Sequence, residues 1–346
     1  MKTLILILSL LSVLQAPVRA VDPSVPVPSG DALLLMPEHT ENLNSGLREL
    51  LQNALMAFRP DLIEASKISV SLIAASMLLS ILKTFEGTVG RVCDLAGCAA
   101  VASGLLMTSD SMIRLGTETI CEITEYGKLL IPVMTGALAA QGGVTKSSAL
   151  FAGTLGFTAL LSKILSDFLI PMLYFYLALS IGAGALGNDS LKKLRDLIKT
   201  MISWCLKTLI TLFTSYIGLT GVISGTTDAA ALKAAKAAVS SMVPVVGNIL
   251  SGASETMLLS AAIFKNTAGL YGIFAVLTIF IHPFLRIFAH YWILKLTGGL
   301  CSVFGSGSLS DLIGDFSSAM GFLLAMTGTA CFLILLGTAC FMKGVI

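Results

Sequence analysis

Glu255, Lys265, Asn266, His282, Arg286, His290 and Lys295 all lie within or close to long apolar runs of this chain. An ionisable side chain at membrane depth is costly to insert, so each is a functional candidate by default. On a helix over 284–303, Arg286 and His290 are four residues apart and share a face. Lys265, Arg286 and Lys295 also admit a plainer reading, with stems lying along apolar surface and charged heads reaching the interface. No reaction chemistry assembles from these types. His282 and His290 are eight apart with no third ligand near, which argues against a metal site. HExxH, GxSxG and GxxxxGK(S/T) are all missing from the sequence. The expectation is a chain that is not an enzyme, with no catalytic residue, cofactor or metal.

Prolines dominate the elements that must carry these groups. Pro132 and Pro244 are 112 residues apart, as are Pro171 and Pro283, and Gly187 and Gly299 keep the same offset. Either this register is coincidence, or 128–187 and 240–299 are candidate halves of an old duplication. Proline removes a backbone donor and frees a carbonyl one turn earlier. In lipid such groups persist only against protein or a watery cavity. Corresponding breaks in two halves point to a transport site or conduit, whereas a single kink often only shapes packing. The stretch 227–255 is expected to be interrupted: a helix capped by Thr227 or Asp228 and ending before Pro244, a turn at Gly247 and Asn248, and a second helix from about Ser251. The candidate conduit set is therefore Pro132, Pro171, Pro244, Gly247, Asn248, Glu255, Lys265, Pro283, Arg286 and His290.

The whole composition suits lipid. Of 346 residues, 55% are hydrophobic and 12% charged, about half the charged share of a soluble domain. Several runs reach the roughly 20 apolar residues a spanning helix needs. The net charge of +2, without any basic stripe, argues against a nucleic-acid partner. Seven cysteines without a CxxC pair read as packing residues rather than a disulfide framework.

Residues 1–20 read as a signal peptide, from Lys2 through an apolar stretch to Val18-Arg19-Ala20; an uncleaved signal anchor is the alternative. Residues 21–66 form an extracytoplasmic lead ending in one amphipathic helix, and 67–346 a polytopic membrane domain of seven to nine spans. Lys192, Lys193, Arg195 and Lys199 mark 187–199 as cytoplasmic. The acid-rich 109–127 is expected as an extracytoplasmic loop, spans near 265–282 and 284–303 as separate crossings, and Lys343 inside. The fold class is an all-α transmembrane bundle with interrupted or re-entrant helices.

"GVISG", "DAAALKAAKAAV", "PVVG" and "LLSAAIFKNTAGL" follow one another within 220–274, and "LIPVMTGALAAQGG" precedes them. This ordered series resembles the stage III sporulation protein AE family. Asn248 departs from it, standing where the family tends to have a second glycine. The resemblance implies a subunit of a secretion-like channel between mother cell and forespore, placed in the mother-cell membrane and assembled with sister proteins as an oligomeric complex. It implies no catalytic residues. From the residues alone, a secondary transporter with a midplane site at the paired broken helices is the alternative. An intramembrane enzyme is a third, weaker reading.

Overall fold

Where no water can satisfy the backbone, a chain must close its hydrogen bonds within each segment, and long Leu-, Ala- and Ile-rich runs do so as helices. The computed structural model describes residues 26–28, 35–37, 43–82, 88–141, 144–242, 247–303 and 307–342, some by backbone alone. The fold is an all-α bundle: α1 (Leu43–Leu82), α2 (Thr88–Ala140), α3 (Val144–Ile164), α4 (Ile170–Leu186), α5 (Asp189–Met242), α6 (Gly247–Val303) and α7 (Gly307–Met342). A π-turn, Leu165–Leu169, joins α3 to α4. Counting α3, the π-turn and α4 as one rod, six helices among the described residues are long and apolar enough to cross a membrane.

The helices are longer and fewer than the charge pattern suggested. The amphipathic lead and the first span are one helix, α1, with Pro60 inside it. The stretch 109–127 is no loop but the middle of α2. Several of its polar groups are paired: Arg114 Nε donates to Asp110 Oδ2 at 2.8 Å, the Tyr174 hydroxyl of α4 donates to Asp110 Oδ1 at 2.7 Å, and the Thr117 and Thr119 hydroxyls donate to carbonyls four residues back. Its opposite face, with Ile113, Ile120 and Ile123, is fully buried. A charge count sees the acids and misses that face. The two crossings expected on either side of Pro283 are likewise one helix, α6.

Two connections have clear local causes. Gly187 adopts a left-handed backbone (φ 60°) and its N–H donates to Ala183 O at 3.0 Å, closing α4. Asn188 Oδ1 then accepts the Ser190 N–H at 2.8 Å, capping α5. The basic run from Lys192 to Lys199 is therefore helical rather than a loop. At the π-turn, the Ile170 N–H reaches Leu165 O, five residues back. Pro171 follows at the start of α4, where its missing donor disturbs the ladder least.

Paired contacts fix the rod directions. Gly116 and Gly127 of α2 receive Leu323 and Ile334 of α7, so α2 and α7 run parallel. Arg195 meets Asp315 and Phe213 approaches Gly337, so α5 is also parallel to α7. Ser310 donates to Gly298 O and Ser317 to Tyr291 O, so α6 runs antiparallel to α7. Six alternating rods place the start of α1 and the end of α7 at one end of the bundle, and the Gly187 turn at the other. Lys343 and most of the lead lie outside the described residues. α2 and α6 each absorb two of the expected spans.

The core lies around α7, which packs on α2, α3, α4, α5 and α6. Leu312, Ile313, Phe316, Met320, Leu323 and Met326 are fully buried along it.

Candidate functional site

The parallel seam between α1 and α6 carries a charge cluster near the middle of both rods. Asp61 follows Pro60 on α1, and its side chain is only 9% exposed. Arg286 faces it from α6, with Nε 3.6 Å from Asp61 Oδ1, while Nη2 donates to Glu64 Oε2 at 3.2 Å. His282 Nδ1 stands 3.9 Å from Asp61 Oδ2. Positions 282, 286 and 290 recur at one helical turn, so one stripe of α6 supplies all three groups. His290 is buried, and its Nδ1 pairs with Arg286 O at 3.0 Å. A carbonyl only accepts, so Nδ1 carries the proton. Further along the seam, Ser69 Oγ and Thr297 Oγ1 share a hydrogen bond at 2.5 Å.

Asp61 Oδ2, His282 Nδ1 and Arg286 Nε are buried without a hydrogen-bond partner among the described residues. Separations of 3.6–3.9 Å are attractive between charges yet longer than a direct hydrogen bond. Arg286 is thus shared between a buried acid and, one turn along α1, a half-exposed one. This arrangement can hold a charge inside the bundle and exchange its partner. On the opposite face of α6, Phe280, Phe284, Phe288 and Trp292 form a row at four-residue steps, with ring centroids 4.7–6.1 Å apart. Pro283 lies between the two faces, half-buried.

A second polar cluster ties three helices beside the Gly187 turn. Arg195 Nη1 of α5 donates to Asp315 Oδ2 of α7 at 2.6 Å, and the Tyr176 hydroxyl of α4 donates to Asp315 Oδ1 at 3.2 Å. The Arg195 and Asp315 side chains are 17% and 14% exposed. Arg195 also donates through Nε and Nη2 to Asp196 Oδ1. One member of the basic run therefore points into the bundle and pairs there.

Residues 34–343 match the family described as Stage III sporulation protein AE. The chain belongs to the stage III sporulation protein AE family. A curated relative, Stage III sporulation protein AE of Bacillus subtilis (strain 168), is 25% identical over 214 residues, which is 62% of this chain and 53% of the relative. The chain thus aligns with about half of that relative's length. No solved structure matches. All seven helices, and both polar clusters with them, fall within the residues that match the stage III sporulation protein AE family.

Of the sequence-derived set, Arg286 and His290 meet on the α6 stripe, with Pro283 beside it. Pro132 is exposed inside α2, and Pro171 is exposed just after the π-turn; neither joins a polar cluster. The paired positions differ locally, since Pro171 follows a π-turn and Pro283 does not, and Gly187 caps a helix whereas Gly299 lies within one. Pro244 and the signal peptide lie outside the described residues. Gly247, Asn248, Glu255 and Lys265 are placed by backbone alone, all in α6. Thr227 and Asp228 are interior to α5 rather than caps, because the helix begun at Asp189 runs through to Met242. Alanine-rich sequence after Asp228 extends a helix already nucleated. Gly247 and Asn248, where a turn was expected ahead of a helix from about Ser251, already belong to α6, and residues 243–246 lie outside the described residues. Gly and Asn are both favoured around a helix start.

Sequence reasoning missed Asp61, Glu64, Arg195 and Asp315 as partners. A "PD" step inside an amphipathic helix, and an acid eight residues into the last apolar run, were the available signals.

Proposed function

We propose that this chain is a membrane subunit of a secretion-like channel complex that links mother cell and forespore and is required for spore development. The observation carrying the reading is the family match along residues 34–343, which takes in every helix of the bundle. The relative's printed name, a stage III sporulation protein, supports the same reading. In it the chain sits in the mother-cell membrane around the forespore, with its lead outside the cytoplasm after signal cleavage. It assembles with sister proteins and needs no catalytic residue, cofactor or metal. The Asp61–Arg286–His282 cluster then acts as an internal charge that fixes or shifts α1 against α6.

The same cluster gives the secondary-transporter reading its one specific support, since intramembrane charges line many solute pathways. Deletion of the gene in its endospore-forming host tests the first reading. Vegetative growth should be intact and development blocked after the forespore forms. Normal sporulation of the deletion strain overturns the reading. Solute movement by the purified chain alone, reconstituted in vesicles, decides for the transporter.

A further inference from the structure

Lys199, Lys207 and Lys295 line one open cavity of about 710 Å³ between α5, α6 and α7. All three lysines are exposed, and none of their ammonium groups has an ion pair or hydrogen bond among the described residues. The rest of the lining is mostly apolar or small. Leu206 and Ile210 form one wall, and Gly321, Ala325 and Gly328 of α7 form a floor that stays low for want of side chains. The volume is within the roughly 300–1,000 Å³ of ligand pockets.

We infer that this trough holds one anionic phospholipid, with its headgroup on the lysines and an acyl chain along the α7 floor. The trough has the polarity of a lipid leaflet. Lys199 lies about 15 Å along α5 from Asp189, and Lys295 about 12 Å along α6 from Val303, both measured from the Gly187 end of the bundle. Their charges therefore sit near one level. From that level the floor runs deeper, through Ala325 and Gly328 to Phe332. Lys207 is about 12 Å below Lys199 on the same helix. Helical side chains lean toward the helix N-terminus, so the Lys207 stem rises along the apolar wall toward Lys199. Three cations beside an apolar channel match a molecule with an anionic head and a hydrocarbon tail, and basic pockets between membrane helices take such lipids. An anionic headgroup offers the lysines a net negative charge, whereas a zwitterionic one brings its own cation beside them. A partner helix would need acidic residues facing all three lysines.

The test is native mass spectrometry of the purified full chain in detergent, titrated with phosphatidylglycerol or phosphatidylcholine of identical acyl chains. One phosphatidylglycerol per chain should be retained, with a preference of about tenfold or more over phosphatidylcholine. The triple variant Lys199→Gln, Lys207→Gln, Lys295→Gln should lose that preference. Replacing the same three lysines with Arg, or replacing Lys67, Lys163 and Lys193 with Gln, should keep it. Gly328→Phe fills the floor with all lysines intact and should also release the lipid, so the inference does not rest on the triple variant folding. Equal retention of the two lipids, or undiminished preference in both the Gln triple variant and Gly328→Phe, overturns it. So does a photoreactive side chain at Phe332 that captures a protein chain rather than phosphatidylglycerol in the native membrane.

Discussion

Arg286 Nε stands 3.6 Å from Asp61 Oδ1 across the α1–α6 seam, and neither helix places another described cation nearer to that buried acid. Because Arg286 is 31% exposed and also bonded to Glu64, this pair falls between a surface and a fully buried ion pair.

Asp61→Asn keeps the shape and removes the charge. We expect it to lower stability by about 2 kcal/mol, between the roughly 0–1 of exposed pairs and the roughly 3–5 of buried ones. Thermal unfolding of the purified chain measures the loss. Combining Asp61→Leu with Arg286→Met should restore stability by removing both charges together. If the double variant also sporulates normally, the charges serve packing alone; failure to sporulate while stable assigns them to the complex.

Rod directions make a claim about sides. Single cysteines at Ser45 and Met342 should label from the same side of the membrane, and one at Asn188 from the other, which charge bias marks as cytoplasmic. An impermeant thiol reagent applied to intact cells, in a background lacking the native cysteines, reads this directly. Opposite labelling of residues 45 and 342 would exclude six alternating rods.

Two glycines of α2 should respond with opposite sign. A Cβ on Gly116 would sit 2.5 Å from Leu323 Cδ1, and Leu323 is fully buried and cannot swing away. Gly116→Ala should therefore destabilise by about 1–3 kcal/mol through overpacking. At Gly104 a Cβ meets nothing within 4 Å. Gly104→Ala should stabilise by up to about 1 kcal/mol through helix propensity. Thermal unfolding of both variants checks the pair, and a loss at Gly104 equal to that at Gly116 would contradict the close α2–α7 packing.

Apolar runs alone were enough to announce helices in lipid, because a backbone without water has few other solutions. The stop expected before Pro244 falls on residues 243–246, outside the described residues. Boundaries set by charge were misread. Asp110 and Arg114 look like loop residues in a count and like a helical i,i+4 pair in space. Pro283 looks like an end, yet α6 continues through it, with α1 supplying partners for the charges beside it. Arg286 and His290 were legible as one stripe because helical periodicity is local. Asp61 was not, because its partner lies more than 200 residues away and only tertiary packing brings them together.

The position of α7 in the chain has a consequence for biogenesis. It is the last of the seven helices to leave the ribosome, and it is the one that α2, α3, α4, α5 and α6 all pack against. Until it inserts, Gly116 and Gly127 present open notches to lipid instead of to Leu323 and Ile334. The earlier helices hold one another through contacts such as the α1–α6 charges and the α2–α6 packing, but without their common centre. A chain truncated before α7 would therefore leave uncovered, on five helices at once, the surface that the finished bundle conceals.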